Sequence, residues 1–141
     1  MLSSIAIKKP SVVVVDDEHD LVELFSEILR LNGYDVYAFT DPIAALKHVK
    51  DTPNRYSLLI TDYSMKKLNG CDLGIKIKEL NNSIEVILIS SYDIIEGNRL
   101  GFELLHKPIL TQTLLKKVKT SYPFSSNNDS IIFSHKIKKV K

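Results

Sequence analysis

A single cysteine, Cys71, among 141 residues leaves no disulfide framework and suits a reducing compartment. It reads as a small apolar filler near a helix start. Long apolar runs are also missing, since none approaches the roughly 18–20 residues that a membrane helix needs. At the N-terminus Lys8 and Lys9 follow a short apolar patch instead of preceding one, the reverse of a secretory signal. These absences lead to the expectation of a soluble, cytoplasmic, single-domain protein. A chain of this length buries roughly two-thirds of its unfolded surface, enough for a self-standing core.

No glycine-rich loop follows the first apolar run, where Asp16-Asp17-Glu18 would repel a nucleotide phosphate unless a metal intervened. The histidines His19, His48, His106 and His135 have no zinc-like spacing, and each is assigned to the surface. Charge of one sign is scarce in the body of the chain. The formal net charge is +2, but residues 122–141 carry four lysines against one aspartate, which leaves −1 for residues 1–121. The body is therefore not a nucleic-acid surface by charge, and any basic contact belongs to the tail.

What is present is a regular alternation. Ser11 to Val15 ends in four valines bounded by Pro10 and Asp16-Asp17, a buried strand by pattern. Asp20 is the expected N-cap of a helix in which Leu21, Leu24, Phe25, Ile28, Leu29 and Leu31 recur at helical spacing before Asn32-Gly33 stops it. Tyr34 to Phe39 is a second strand, and Thr40-Asp41-Pro42 starts a second helix that ends near Thr52-Pro53. The stretch Tyr56 to Gly70 runs the apolar Leu58-Leu59-Ile60 into Asp62 and then into a loop. Cys71 to Leu80 is a third helix and Ile84 to Ile89 a fourth strand.

Between Ser91 and Phe102 the two glycines Gly97 and Gly101 leave room only for a short or irregular helix. Phe102 to His106 is a fifth strand, Lys107-Pro108 a candidate cis peptide, and Leu110 to Tyr122 the last helix, with Leu114, Leu115 and Val118 inward. Strands alternating with helices predict an α/β fold, a doubly wound parallel sheet with helices on both faces. From Pro123 the composition changes to a Ser/Asn linker and a short basic end. The expected division is therefore a domain at 11–121 with a linker and tail at 122–141.

In a parallel sheet all strands' carboxyl ends share one edge, so Asp16, Asp17, Asp62, Ser90 and Lys107 converge. Clustered carboxylates raise one another's pKa unless a cation neutralises them. Oxygen-only ligands of this kind suit Mg²⁺. A carboxylate can also act as a nucleophile and form an aspartyl phosphate, with Lys107 and the Ser90 hydroxyl holding the phosphoryl oxygens.

The acidic pair after the valines, Asp62 followed by Met65 and Gly70, the hydroxyl at Ser90 and Lys107-Pro108 make residues 11–121 resemble a receiver domain of two-component response regulators. The 45 positions from Asp17 to Asp62 are close to the family's spacing. The resemblance implies a flavodoxin-like five-stranded sheet in the order 2-1-3-4-5. It implies Asp62 as phosphoacceptor, and Mg²⁺ held by Asp16, Asp17, Asp62 and the Ser64 backbone carbonyl. Ser90 would be the switch hydroxyl, and Lys107 would bridge to the phosphoryl group.

A histidine kinase or phosphotransfer protein is the implied donor, and the downstream partner is unassigned. The expected function is a stand-alone phosphoacceptor in phosphorelay signalling. It is not an enzyme beyond its own aspartyl phosphorylation and dephosphorylation. The alternative is a phosphorylation-independent pseudo-receiver that serves as a protein-interaction module. A phosphatase of the haloacid dehalogenase type would need a second aspartate at the position occupied by Ser64.

Three departures from the family pattern stand out. Lys66 replaces a usual proline, Ser90 to Lys107 spans only 17 positions, and Leu104 stands where a switch aromatic is usual.

Overall fold

A computed structural model of the chain describes residues 10–121. In chain order the elements are β1 (Ser11–Val15), α1 (His19–Leu31), β2 (Asp35–Phe39), α2 (Pro42–Asp51), β3 (Leu58–Asp62), α3 (Gly70–Leu80), β4 (Glu85–Ser90), α4 (Ile95–Arg99), β5 (Glu103–His106) and α5 (Thr111–Ser121). A 3₁₀ turn at Pro53–Arg55 leads from α2 towards β3. The strands form one parallel sheet in the order β2-β1-β3-β4-β5, the order the resemblance implied. The linker and tail assigned to 122–141, with His135, lie outside the described residues. Among the described residues no helix is long and apolar enough to cross a membrane.

The valine run suits β1 to an interior position, between β2 and β3. Successive side chains of a strand point to opposite faces, and both faces of this sheet are covered. Val12 and Val14 pack with Phe25 and Leu29 of α1 and Leu114, Leu115 and Val118 of α5. Val13 and Val15 pack on the other side with Ala45 and Val49 of α2 and Cys71, Leu73 and Ile77 of α3. Each valine so buried contributes about 1.5–3 kcal/mol relative to exposure. β3 and β4 repeat the pattern, with Ile60 and Ile87 in the first core and Leu59 and Leu88 in the second.

Helix boundaries follow local chemistry with one correction. Asp41 caps α2 by accepting the Ile43 N–H at 2.9 Å, and Pro42 takes the first helical position. Asn69 caps α3 through the Asp72 N–H at 2.8 Å. Asp20 does not cap α1. The helix begins at His19, its cap position is Glu18, and Asp20 lies in the first turn, where a carboxylate still complements the helix dipole. The inward stripe of α1 is Val22, Phe25, Ser26 and Leu29, while Leu24 and Leu31 are exposed.

The short fourth helix is present as five residues. It ends in a left-handed turn at Gly101 (φ 78°), where the Phe102 N–H reaches the Gly97 carbonyl at 2.9 Å. That closure is the helix-ending motif in which glycine avoids the Cβ penalty. Leu104 is half-buried against the α2/α3-side core. Exposed Tyr92, Ile95 and Leu110 accompany this pared-down region.

At the start of α3 the backbone of Gly70 passes so close to β3 that an added Cβ would lie 2.5 Å from the Asp62 carbonyl oxygen and 3.0 Å from the Tyr63 Cα. Neither is a flexible side-chain end that could yield. In an ordinary helix, replacing glycine with alanine stabilises by about 1 kcal/mol. Here Gly70→Ala is expected to destabilise by about 1–3 kcal/mol instead, read from the urea midpoint at unchanged slope.

Candidate functional site

The order β2-β1-β3 reverses direction at β1, and the crevice at such a reversal opens beyond the carboxyl ends of β1 and β3. Two neighbouring strands deliver carboxylates there. Val15 of β1 pairs with Thr61 of β3, so Asp16 and Asp62, the next residue on each, stand side by side. Asp62 pairs in turn with Ile89, which puts Ser90 one step further along β4. Ser90 pairs with His106, and the Lys107 N–H donates to the Ser90 carbonyl at 2.8 Å. The Lys107-Pro108 peptide is cis.

Asp16, Asp17 and Asp62 each offer a carboxylate oxygen to one cluster, all within 4.8 Å of one another. Asp16 and Asp62 are only 2% and 4% exposed, whereas Asp17 is open to solvent. The Lys107 ammonium lies 2.8 Å from Asp62 Oδ1. One Asp16 oxygen accepts the Glu18 N–H at 2.9 Å, and the other, Oδ2, is buried with no partner among the described residues. A buried carboxylate oxygen without a partner, on a residue clustered with two further carboxylates, suits the donor set of a hard cation. The residues present therefore fit Mg²⁺.

Electrostatics follow from burial. Burial is the main cause that pushes the Asp16 carboxyl up to about 6, with Asp62 and Asp17 adding and the Glu18 N–H and Lys107 opposing. Asp62 is also raised by burial, against the hydrogen bond and charge of Lys107. Burial pulls Lys107 down, but its contact with Asp62 more than offsets this and leaves it raised. One cation thus stands against three carboxylates, and the edge is short of positive charge.

Ser90 is buried beside this cluster, and its Oγ accepts the Tyr92 N–H at 3.0 Å. Ser64 is exposed in the loop after β3. That loop is pinned at its ends by the Tyr63 N–H on the Ile89 carbonyl and the Gly70 N–H on the Tyr63 carbonyl, both 2.8 Å. All the residues picked out at the sheet edge, Asp16, Asp17, Asp62, Ser90 and Lys107, are brought there. Tyr63 packs half-buried on the core, and Tyr92 is exposed.

Two contacts near the site were not anticipated. The Thr61 hydroxyl donates to the Asp62 carbonyl at 2.9 Å, and Lys67 reaches Asp41 at 3.0 Å. The Asp16-to-Glu18 bond did carry a signal, because an aspartate commonly accepts from the N–H two residues on. The surface assignment of His48 is also corrected. It is half-buried among Tyr37, Phe39 and Tyr56, at ring distances of 5.2, 5.1 and 5.4 Å, and bonds the Tyr56 hydroxyl.

Residues 12–119 match the response regulator receiver domain family. The chain belongs to that family. This receiver domain is 28% identical over 118 residues to the transcriptional regulatory protein PrrA of Mycobacterium tuberculosis, covering 80% of this chain and 50% of that protein. It is 31% identical over 112 residues to the transcriptional regulatory protein CpxR homolog of Haemophilus influenzae, covering 76% and 48%.

Among solved structures, a response regulator receiver domain protein from Clostridium thermocellum matches with a TM-score of 0.75 at 26% identity, covering 79% of this chain and 93% of that one. CheY in the CheX–CheY–BeF₃–Mg²⁺ complex from Borrelia burgdorferi has the same fold, with a TM-score of 0.76 at 20% identity, covering 86% and 95%. The receiver spans about half or less of the length of the curated relatives it matches.

The raised carboxyl has a consequence for stability. A group whose folded-state pKa exceeds its unfolded value adds stability that is complete below about pH 3.9. That stability is lost as pH rises through about 6 for Asp16. In EDTA, Asp16→Asn is therefore expected to be more stable than wild type at about pH 7.5 and to lose this advantage at about pH 4.5, measured by urea denaturation.

Proposed function

We propose that this receiver takes a phosphoryl group from a phosphohistidine of a kinase or phosphotransfer protein onto Asp62, in two-component signalling. The observation that carries this reading is the Lys107 ammonium 2.8 Å from the buried Asp62 carboxylate, inside a cluster of three carboxylates. A carboxylate held between a lysine and two further acids is both a nucleophile and an electrophile's docking point. The reaction balances simply. An Asp62 oxygen forms the new O–P bond, the N–P bond to the donor imidazole breaks, and the imidazole leaves with the electron pair.

Asp16, Asp17, Asp62 and the Ser64 carbonyl are the residues that would hold Mg²⁺. Bound there, the ion would neutralise carboxylates and draw charge from the phosphoryl oxygens. Lys107 favours the ionised form of Asp62 against the effect of burial and would contact a phosphoryl oxygen after transfer. The Ser90 hydroxyl accepts from the Tyr92 N–H, which leaves its own hydrogen to donate to a phosphoryl oxygen. Removing one such preformed donor costs about 100-fold in rate in comparable sites.

The experiment is incubation with Mg²⁺ and a small phosphodonor, read by intact mass. Wild-type protein is expected to gain one phosphoryl group and Asp62→Asn none, with Lys107→Ala slowed by about 100-fold. No gain by the wild type, or a gain that survives Asp62→Asn, would contradict the reading. The first of those outcomes would point to an interaction module without phosphotransfer.

A further inference from the structure

The loop from Tyr63 to Asn69 carries Ser64, and it contains no proline. Its ends are fixed by the bonds of Tyr63 and Gly70, and Met65 and Leu68 rest partly buried on the core. Among the described residues, the backbone of Ser64 to Leu68 makes no hydrogen bond. Besides a long contact of the Thr61 hydroxyl with the Met65 sulfur at 4.0 Å, the loop's polar tether among the described residues is the Lys67 ammonium 3.0 Å from Asp41 Oδ2.

The partner is well chosen, because Asp41 already has a fixed position. Its Oδ1 caps α2 through the Ile43 N–H at 2.9 Å, while Oδ2 takes the lysine, so one carboxylate does both tasks with separate oxygens. Asp41 also sits two residues beyond Phe39, whose carbonyl accepts the Asp16 N–H at 3.1 Å. The ion pair therefore ties the loop after β3 to the loop after β2, next to the carboxyl end of β1 and its two aspartates. The Lys67 partnership holds the Asp41 carboxyl below the usual carboxylate range, as expected for a formed pair.

We infer that Lys67 and Asp41 are positioning residues for the metal site, and that their ion pair holds the β3–α3 loop in the arrangement that presents the Ser64 carbonyl. This rests on the Mg²⁺ reading above. The physical effect is a reduction in the number of loop conformations that must be frozen when a cation is bound. An exposed ion pair shifts an equilibrium by only about two- to fivefold, and it weakens with salt.

The sign of one substitution separates this role from a simple field effect. Lys67→Met removes a positive charge near an acidic cluster. If Lys67 acts only as a nearby charge, Mg²⁺ binds more tightly to the variant. If it acts as a tether, Mg²⁺ binds more weakly. Asp41→Asn keeps the capping oxygen and removes the lysine's charged partner, so helix α2 retains its start.

The test uses calorimetric Mg²⁺ titration of the whole chain together with amide order parameters in the metal-free protein. Lys67→Met is expected to weaken Mg²⁺ about two- to fivefold, with the difference shrinking at high salt. Asp41→Asn should weaken it similarly, the double variant should be no weaker than the weaker single variant, and Lys67→Arg should restore affinity. Order parameters at Ser64 to Leu68 should fall from about 0.8 towards 0.6 in Lys67→Met.

Tighter binding by Lys67→Met, additive losses in the double variant, or unchanged order parameters would each overturn the tether. Failure of the wild type to bind Mg²⁺ would overturn the metal reading on which its role depends. The order parameters would then still decide whether the pair fixes the loop.

Discussion

The contact between Lys107 and Asp62 is the interaction around which the sheet edge is organised. Two nearly buried carboxylates and a third exposed one are costly to hold together, and breaking a buried charge pair by removing one partner is among the more destabilising changes a protein can suffer. One lysine arriving from beyond β5 supplies the single cation of the cluster, and it does so across the whole width of β4. One cation against three carboxylates leaves the edge short of positive charge. On the proposed reading, a divalent cation would relieve this shortage and so make room for an anionic phosphoryl group.

The fold exists to hold this juxtaposition. Register places Asp16 beside Asp62, and Ser90 beside the residue that precedes Lys107, so that only the lysine has to reach across a strand. Doubly covered strands set Asp16, Asp62 and Ser90 at the sheet edge, and the loops after β1 and β5 bring Asp17 and Lys107 to them. Gly70 belongs to the same design, since it lets α3 start against the carbonyl of Asp62. The α4 side is built more sparingly, with five helical residues and several exposed apolar side chains.

Much of this was legible in the sequence because the signals are local. Four consecutive valines ending in two aspartates define a buried strand and its chemistry at once, and the two glycines before Phe102 mark a shortened helix. Other features could not be read from spacing. Leu24 and Leu31 fit the helical period of α1, but which side of the helix turns inward is decided by the sheet, and Val22 and Ser26 take those places. His48 joins a ring cluster assembled from β2, α2 and the residues before β3, so its burial depends on contacts that no single segment contains. Lys67 and Asp41 lie 26 positions apart and meet only because the sheet sets their loops side by side.

Reductive trapping of the phosphorylated protein addresses the identity of the acceptor most directly. Borohydride reduces an aspartyl phosphate to homoserine, which marks the modified position permanently for peptide sequencing by mass spectrometry. After treatment with Mg²⁺ and a phosphodonor, homoserine is expected at position 62 and at no other aspartate. Homoserine at position 16 or 17, or its absence from the chain altogether, would contradict the assignment of Asp62 as the nucleophile that Lys107 holds in place.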